Sequence, residues 1–292
     1  AAMGSQTGGS IIRPAAYNGI VGLKPTFGRI SCHGVIPVSW SLDTIGPMVN
    51  SVEDAALMLQ VLAGFDPKDP GCSTEPVPDY SNWLGDLNRT PRIGLIREFF
   101  FSQSNPEVVA HTDKVIQTLS TAGAHIDEIT LPPSFYSAPH TQWSVMNVEC
   151  SAYHEEQFKI QADNYSNKLR ERIEMGLITP ATNYLQAQRL RRAYRRDMDN
   201  LAREWDVLLT PTTPTTAPRD LTTTGDPVFQ SPWTSCGLPT ITIPSGRSPA
   251  SGLPLGIQLI ASSFAERRLL AISRWCEEIL SVNLRPPEIG IS

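Results

Sequence analysis

The residues with the clearest chemical content stand together near the start of the chain, in the run Gly4-Ser5-Gln6-Thr7-Gly8-Gly9-Ser10. Two glycines directly before Ser10 let the main chain approach a ligand closely, and successive amide N–H groups in such a turn converge on one anionic oxygen. If Ser10 attacks an acyl carbon, the N–H groups of Thr7, Gly8, Gly9 and Ser10 receive the developing charge. Each such donor contributes on the order of 3 kcal/mol. On spacing alone, a serine beside glycines is more often an ordinary turn or helix cap. Two other motifs fit less well. Gly4 to Ser10 spells a phosphate-binding loop without its lysine, which removes the main counter-charge for a nucleotide. The nucleophile elbow G-x-S-x-G is not met either, because Ile12 stands where its second glycine belongs.

Other reactive side chains carry weaker signals. His33, His111, His125, His140 and His154 lie in no Ser-His-Asp context and read as surface or satisfied core residues. Trp40, Trp143 and Trp233 are candidates to line an acyl pocket, although packing is the usual role of tryptophan. Cys236 reads as a buried thiol. The five cysteines are scattered and form neither a CxxC pair nor a His/Cys cluster, so no disulfide framework, metal site or cofactor is expected.

The elements that must position Ser10 follow from periodicity. Residues 1–50 read as loops and short buried strands. Ser51 and Asp54 form a capping pattern for a helix over 51–63, which Gly64 stops. A long irregular connection, rich in proline, is expected over 65–91. A strand at Arg92 to Ile96, a helix capped by Asn105 with Pro106 at its first position, and a strand from His125 to Leu131 make a β-α-β unit. From about 141 to 205 the chain reads as helical, with Leu190, Tyr194, Met198, Leu201 and Trp205 on one face. Arg189, Arg191, Arg192, Arg195 and Arg196 are assigned to the solvated remainder. A strand at Val207 to Thr210, a Thr/Pro-rich loop over 210–224, strands at Leu238 to Pro244 and Pro254 to Ala261, and a helix over 264–281 complete an α/β pattern.

Composition limits the function. The chain has 292 residues, 40% hydrophobic and 18% charged, enough to bury a large core without staples. A net charge of -5 is the wrong sign for binding nucleic acid through phosphates. No run approaches a membrane span, and no signal segment opens the chain, so a cytoplasmic protein is expected.

Gly4-Ser5-Gln6-Thr7-Gly8-Gly9-Ser10, Arg13-Pro14-Ala15, Gly19-Ile20-Val21-Gly22-Leu23-Lys24-Pro25-Thr26, Gly28-Arg29 and Ser41-Leu42-Asp43-Thr44-Ile45-Gly46-Pro47 together resemble the amidase signature family. Gly237-Leu238-Pro239, Ile243-Pro244 and Gly252 to Ile260 resemble its closing strands, while residues 90–205 match only loosely. The resemblance implies an α/β fold with a mixed β-sheet core sandwiched between helices. It also implies hydrolysis of a carboxylic amide, a small molecule, through an acyl-enzyme on Ser10, with no metal or organic cofactor. The family's unit is Ser-cisSer-Lys, and its lysine and bridging serine lie upstream of the nucleophile. The chain begins nine residues before Ser10, so residues 1–292 are expected to be one amidase-signature domain lacking its N-terminal portion. The alternatives are a catalytically silent binding or scaffold protein and one subunit of a glutamine amidotransferase.

Two departures from the family pattern stand out. Gln6 replaces a frequent Asp, and Arg13 lies three residues past the nucleophile instead of two, so the two are expected to have shifted together. Arg13 reads as a brace for the loop, with a grip on a substrate carboxylate as the lesser alternative. Asp43 is expected to fix the turn over residues 41–47, and Lys24 to have a structural or surface role.

Overall fold

A computed structural model of the chain describes residues 1–81 and 89–284. Its eight strands are β1 (Ala2–Gln6), β2 (Val21–Lys24), β3 (Thr44–Val49), β4 (Arg92–Leu95), β5 (His125–Glu128), β6 (Val207–Pro211), β7 (Thr240–Arg247) and β8 (Pro254–Ile260). They form one sheet in the order β1-β3-β2-β7-β8-β6-β4-β5. β4 runs parallel to β5 and β6, and every other pair is antiparallel. The parallel part is the β-α-β unit read from the sequence, closed by helix α3 (Pro106–Thr121).

Alternation along the strands fills two cores. Val207 and Leu209 of β6 pack with α2 (Val52–Leu62), α3 and α8 (Glu266–Leu280), whereas Leu208 points to the opposite core. That second core holds Tyr194 and Met198 of α6 (Ala181–Arg203) and Trp233 of α7 (Ser231–Cys236). Trp233 stacks on Phe100 at 5.7 Å with the rings 5° apart. Fully burying an aromatic or large aliphatic side chain is worth about 1.5–3 kcal/mol, so both faces of the sheet are covered for good energetic reason. The result is an α/β fold, a mixed sheet sandwiched between helices.

The capped helices lie where the sequence places them. Ser51 accepts from the Asp54 N–H at 3.1 Å and starts α2. Asn105 accepts from the Val108 N–H at 2.9 Å and starts α3. β5 is shorter than expected: Ile129 still donates to the Leu95 carbonyl at 2.9 Å, but the Leu131 N–H turns to Glu98, and the chain leaves the sheet. In the connection over 65–91, residues 65–81 hold no regular element, and 82–88 lie outside the described residues.

Three expectations are corrected. First, residues 1–50 contain a helix, α1 (Ile12–Asn18), ended by Gly19 in the left-handed conformation at φ 66°. It escapes a periodicity reading because it is only 7 residues long and Ile12, Arg13, Ala15 and Ala16 are all buried. α7, at 6 residues, escapes for the same reason. Second, the helical stretch is three helices, α4 (Ala138–Gln161), α5 (Asn167–Leu177) and α6. Gly176 lets α5 lie against α4, since a Cβ there would stand 2.1 Å from the Asn147 carbonyl oxygen. Third, Leu190 is 49% exposed while Arg191 is only 3% exposed. The buried face of α6 therefore runs through Ala187, Arg191, Tyr194, Met198 and Ala202, and the solvated-face reading fails for Arg191 because buried oxygens hold its guanidinium.

Candidate active site

β1 carries the chain to Gln6, and the turn of Thr7, Gly8, Gly9 and Ser10 then leads into α1. Gln6 is fully buried and closes this turn from inside. Its Oε1 accepts from the N–H groups of Ile11 at 2.9 Å and Ile12 at 3.0 Å, and its Nε2 donates to Thr234 Oγ1 at 3.0 Å. An amide suits this place because it accepts at one end and donates at the other.

The carbonyls of the turn are tied down one by one. Gln142 of α4 donates to the Thr7 oxygen at 2.7 Å, Thr234 of α7 to the Gly8 oxygen at 2.8 Å, and the Arg13 N–H to the Gly9 oxygen at 3.0 Å. Among the described residues, nothing in the protein accepts from the N–H groups of Thr7, Gly8, Gly9 or Ser10. Gly9 is needed for packing, since a Cβ there would lie 2.9 Å from Gln230 Oε1, whereas a Cβ on Gly8 would make an ordinary contact at 3.6 Å.

Ser10 is exposed, and its hydroxyl makes no hydrogen bond within the chain among the described residues. It opens on a cavity of about 380 Å³. Thr7, Gly8, Gly9 and Ser10 form one side, Gln142, Trp143 and Met146 of α4 and Leu169 and Arg172 of α5 another, and Thr224, Gly225, Pro227 and Ser231 a third. The volume falls in the range of small-molecule sites. Among the described residues, neither a lysine nor a histidine lines it.

A buried network holds the loop beside this turn. Asp43 Oδ2 accepts from the N–H groups of Val38 at 2.8 Å and Ser39 at 3.0 Å, and its Oδ1 accepts from the Thr7 hydroxyl. Burial pushes the Asp43 carboxyl up, and the hydrogen bonds from Thr7, Ser39 and Val38 oppose that rise. Asp43 thus fixes residues 38–43 and joins them to the glycine turn, a wider role than the turn over 41–47. Thr7→Val should destabilise the protein by about 1–3 kcal/mol, because it leaves a mostly buried carboxylate short of a donor. A shift of the urea midpoint at constant slope is the measurement that checks it.

Behind Asp43, Glu149 of α4 accepts from Ser39 Oγ at 2.5 Å, from Ser41 N at 3.0 Å and Oγ at 2.8 Å, and from Tyr184 Oη at 2.9 Å. Arg191 of α6 donates to Ser41 Oγ at 2.9 Å, to the Ser41 carbonyl at 2.5 Å and to the Ser235 carbonyl at 2.8 Å. Burial, and then Arg195, pull the Arg191 guanidinium down to about 10, so it stays charged at neutral pH. Two buried charges therefore grip Ser41 from opposite helices.

The remaining candidates fall elsewhere. Gln6 and Arg13 serve different partners: Gln6 closes the glycine turn, and Arg13 Nη2 donates to Thr224 Oγ1 at 2.9 Å. His111 meets Ser245 Oγ at 2.9 Å, His125 meets Asp127 at 2.9 Å, and His154 meets Tyr165 Oη at 3.1 Å, all away from the cavity. His33 and Trp40 line a different, smaller cavity, and His140 lines neither that one nor the Ser10 cavity. Trp143 lines the Ser10 cavity, and Trp233 is core packing. Cys236 is buried, and burial pushes its thiol up. Lys24 is fully buried and donates to the Pro25 carbonyl at 2.8 Å, and burial pulls it down to about 8. Its role is structural and not at the surface. Sequence reasoning misses Gln142, Thr224 and Ser231, and also Arg172, because nothing local marks them.

Among the described residues no His/Cys/Asp/Glu group is arranged to hold a metal, and no helix is long and apolar enough to cross a membrane.

Comparison with known proteins places this geometry. The family model described as Amidase matches residues 1–270. The chain is 36% identical to the A component of the glutamyl-tRNA(Gln) amidotransferase of Roseiflexus castenholzii, over 99% of this chain and 64% of that protein. It therefore spans just under two thirds of the length of such curated relatives. Among solved structures, it is similar to a protein of a vestigial complex that reveals the origins of an s-triazine catabolic enzyme, bound to an inhibitor. That match has a TM-score of 0.86, 30% identity, and covers 96% of this chain and 63% of the other. It is also similar to the native peptide amidase of Stenotrophomonas maltophilia, with a TM-score of 0.80, 29% identity, and 99% and 63% of the two chains covered. With the family model spanning most of its length, and relatives above 30% identity along nearly all of it, the chain belongs to the Amidase family.

Proposed function

We propose that this chain carries the nucleophile and the oxyanion-binding turn of an amidase that hydrolyses a carboxylic amide through an acyl-enzyme. One observation carries the reading: an exposed Ser10 hydroxyl faces a small-molecule cavity beside N–H groups that no protein acceptor claims among the described residues. Ser10 Oγ bonds to the acyl carbon and gives up its proton, and the carbonyl oxygen becomes an oxyanion held by N–H groups of Thr7, Gly8, Gly9 and Ser10. The C–N bond breaks, and the nitrogen takes a proton and leaves as ammonia or an amine. Water then attacks the ester, releases the acid and restores Ser10. Among the described residues, none lining the cavity is a suitable base for Ser10. The reading therefore assigns that task to the lysine and bridging serine of the family's Ser-cisSer-Lys unit, in an upstream portion of the same amidase-signature domain.

A second reading is supported by the relatives, which are components of amidotransferases. In it the same acyl chemistry releases ammonia for use by a partner protein. Measured ammonia release separates the two: turnover of simple amides by the protein alone supports a free amidase, and turnover of glutamine only with partners supports an amidotransferase component.

The test of the shared chemistry is covalent. A fluorophosphonate offered to the protein carrying its upstream segment is expected to add one phosphonyl group, mapped by peptide mass to Ser10. Absence of labelling there would favour a silent binding protein.

A further inference from the structure

Gly9 is a glycine for the sake of one neighbour. Its φ lies outside the left-handed region, so its conformation does not by itself favour glycine. The three heavy atoms nearest to a Cβ built there all belong to Gln230: Oε1 at 2.9 Å, Cβ at 3.0 Å and Cγ at 3.3 Å. The Gln230 side chain therefore lies flat against the Cα of Gly9. Gln230 is fully buried and stands outside the cavity lining, so it backs the turn from within the protein. Two consecutive glycines make a soft main chain, while an oxyanion needs its donors held at about 2.7–3.1 Å. Such a turn works only if something rigid stands behind it.

Gln230 is itself fixed to the sheet. It occupies the N-cap position of α7, its N–H donates to the Pro227 carbonyl at 2.9 Å, and its carbonyl accepts from the Thr234 N–H at 3.1 Å. Its Nε2 donates to the Thr212 carbonyl, directly after β6. Thr212 in turn donates its N–H to the Gly256 carbonyl of β8 at 3.1 Å and meets Thr242 Oγ1 of β7 at 2.8 Å. The end of one central strand and its two neighbours thus lead through this side chain to Gly9. Gln230 Oε1, by contrast, has no donor within the chain among the described residues. A buried amide oxygen left unpaired costs free energy that an apolar side chain of the same length avoids. Stability alone does not account for a glutamine here, whereas its length and its tether to Thr212 suit a support for the turn.

We infer that Gln230 is a positioning residue for the oxyanion-binding turn: it sets how far the Gly8-Gly9 main chain stands toward the cavity, and so where the N–H groups meet the developing charge. It touches no substrate. The inference rests on the acyl-enzyme reading and deepens it.

The experiment uses the protein carrying its upstream segment and reads ammonia release together with the rate at which a fluorophosphonate labels Ser10. Gln230→Gly removes the support at an N-cap position, where glycine is well accepted. It is expected to lower kcat about tenfold with KM within about twofold, the split of an interaction made in the transition state. Labelling should slow by a similar factor, because the phosphonyl oxygen meets the same N–H groups. Gln230→Met loses the bond to Thr212 as the glycine variant does, and its urea midpoint should fall likewise. It keeps the length that backs Gly9, however, so its kcat should stay within about threefold of the parent protein. Gly9→Ala drives a methyl group into Gln230 and should lower kcat about 100-fold, of which Gln230→Gly in the same chain should restore at least about tenfold. If Gly9→Ala does not fold, the contrast between the methionine and glycine variants decides alone. Equal kcat in those two variants, or losses that simply multiply in the double variant, overturn this inference, and a labelled Ser10 in the parent protein then leaves the amidase reading standing. An unlabelled Ser10 in the parent protein with no turnover removes both.

Discussion

Ser10→Ala in the protein with its upstream segment is expected to lower kcat/KM for amide hydrolysis by at least about 10³-fold, and as far as about 10⁶-fold. On the acyl-enzyme reading the hydroxyl oxygen is the atom that becomes the ester, so no neighbouring group can take over its bond. What survives is the effect of the oxyanion-binding turn and of substrate binding, which in other hydrolases leaves rates well above the uncatalysed one. The same substitution should leave stability within about 0.5 kcal/mol, because the side chain is exposed and donates to nothing described in the chain. Steady-state ammonia release and a urea titration of both proteins check the two halves of this expectation. Activity within tenfold of the parent protein would remove Ser10 from the chemistry.

The second large effect is structural. Arg191→Met is expected to destabilise the protein by about 3–5 kcal/mol, although an exposed arginine on the same helix would cost almost nothing. The substitution removes three donors from Ser41 and Ser235 and leaves Glu149, fully buried, without the opposing charge across Ser41. Glu149→Leu together with Arg191→Met should cost less than the two single changes added, by about 1–3 kcal/mol, since no lone buried charge then remains. Urea midpoints of the four proteins measure this. A cost for Arg191→Met below about 1 kcal/mol would mean that water replaces the guanidinium and that the network does not hold the loop over 38–43.

These two predictions also mark where the sequence is informative. The glycine turn is legible as a turn because its residues are consecutive, whereas the closure of that turn by Gln6 emerges only from the folded structure. The helices α2 and α3 are legible because Ser51 and Asn105 cap them within three residues. Arg191 is misread because its partners lie 150 and 44 positions away, and nothing local distinguishes it from Arg192. The cavity walls are hidden for the same reason. Gln142, Arg172 and Thr224 converge only after three separate segments fold, and each alone looks like an ordinary polar residue. α1 and α7 are too short and too fully buried for a period to show.

The fold divides labour between floor and panel. The glycine turn is moored by α4 and α7 and by the loop that carries Asp43, whereas α5 docks chiefly on α4, through Gly176. α5 nevertheless furnishes Leu169 and Arg172 to the cavity. On the acyl-enzyme reading, drift along that one helix retunes which molecule is admitted while the hydroxyl stays in register. A lineage built this way can change diet without relearning its chemistry.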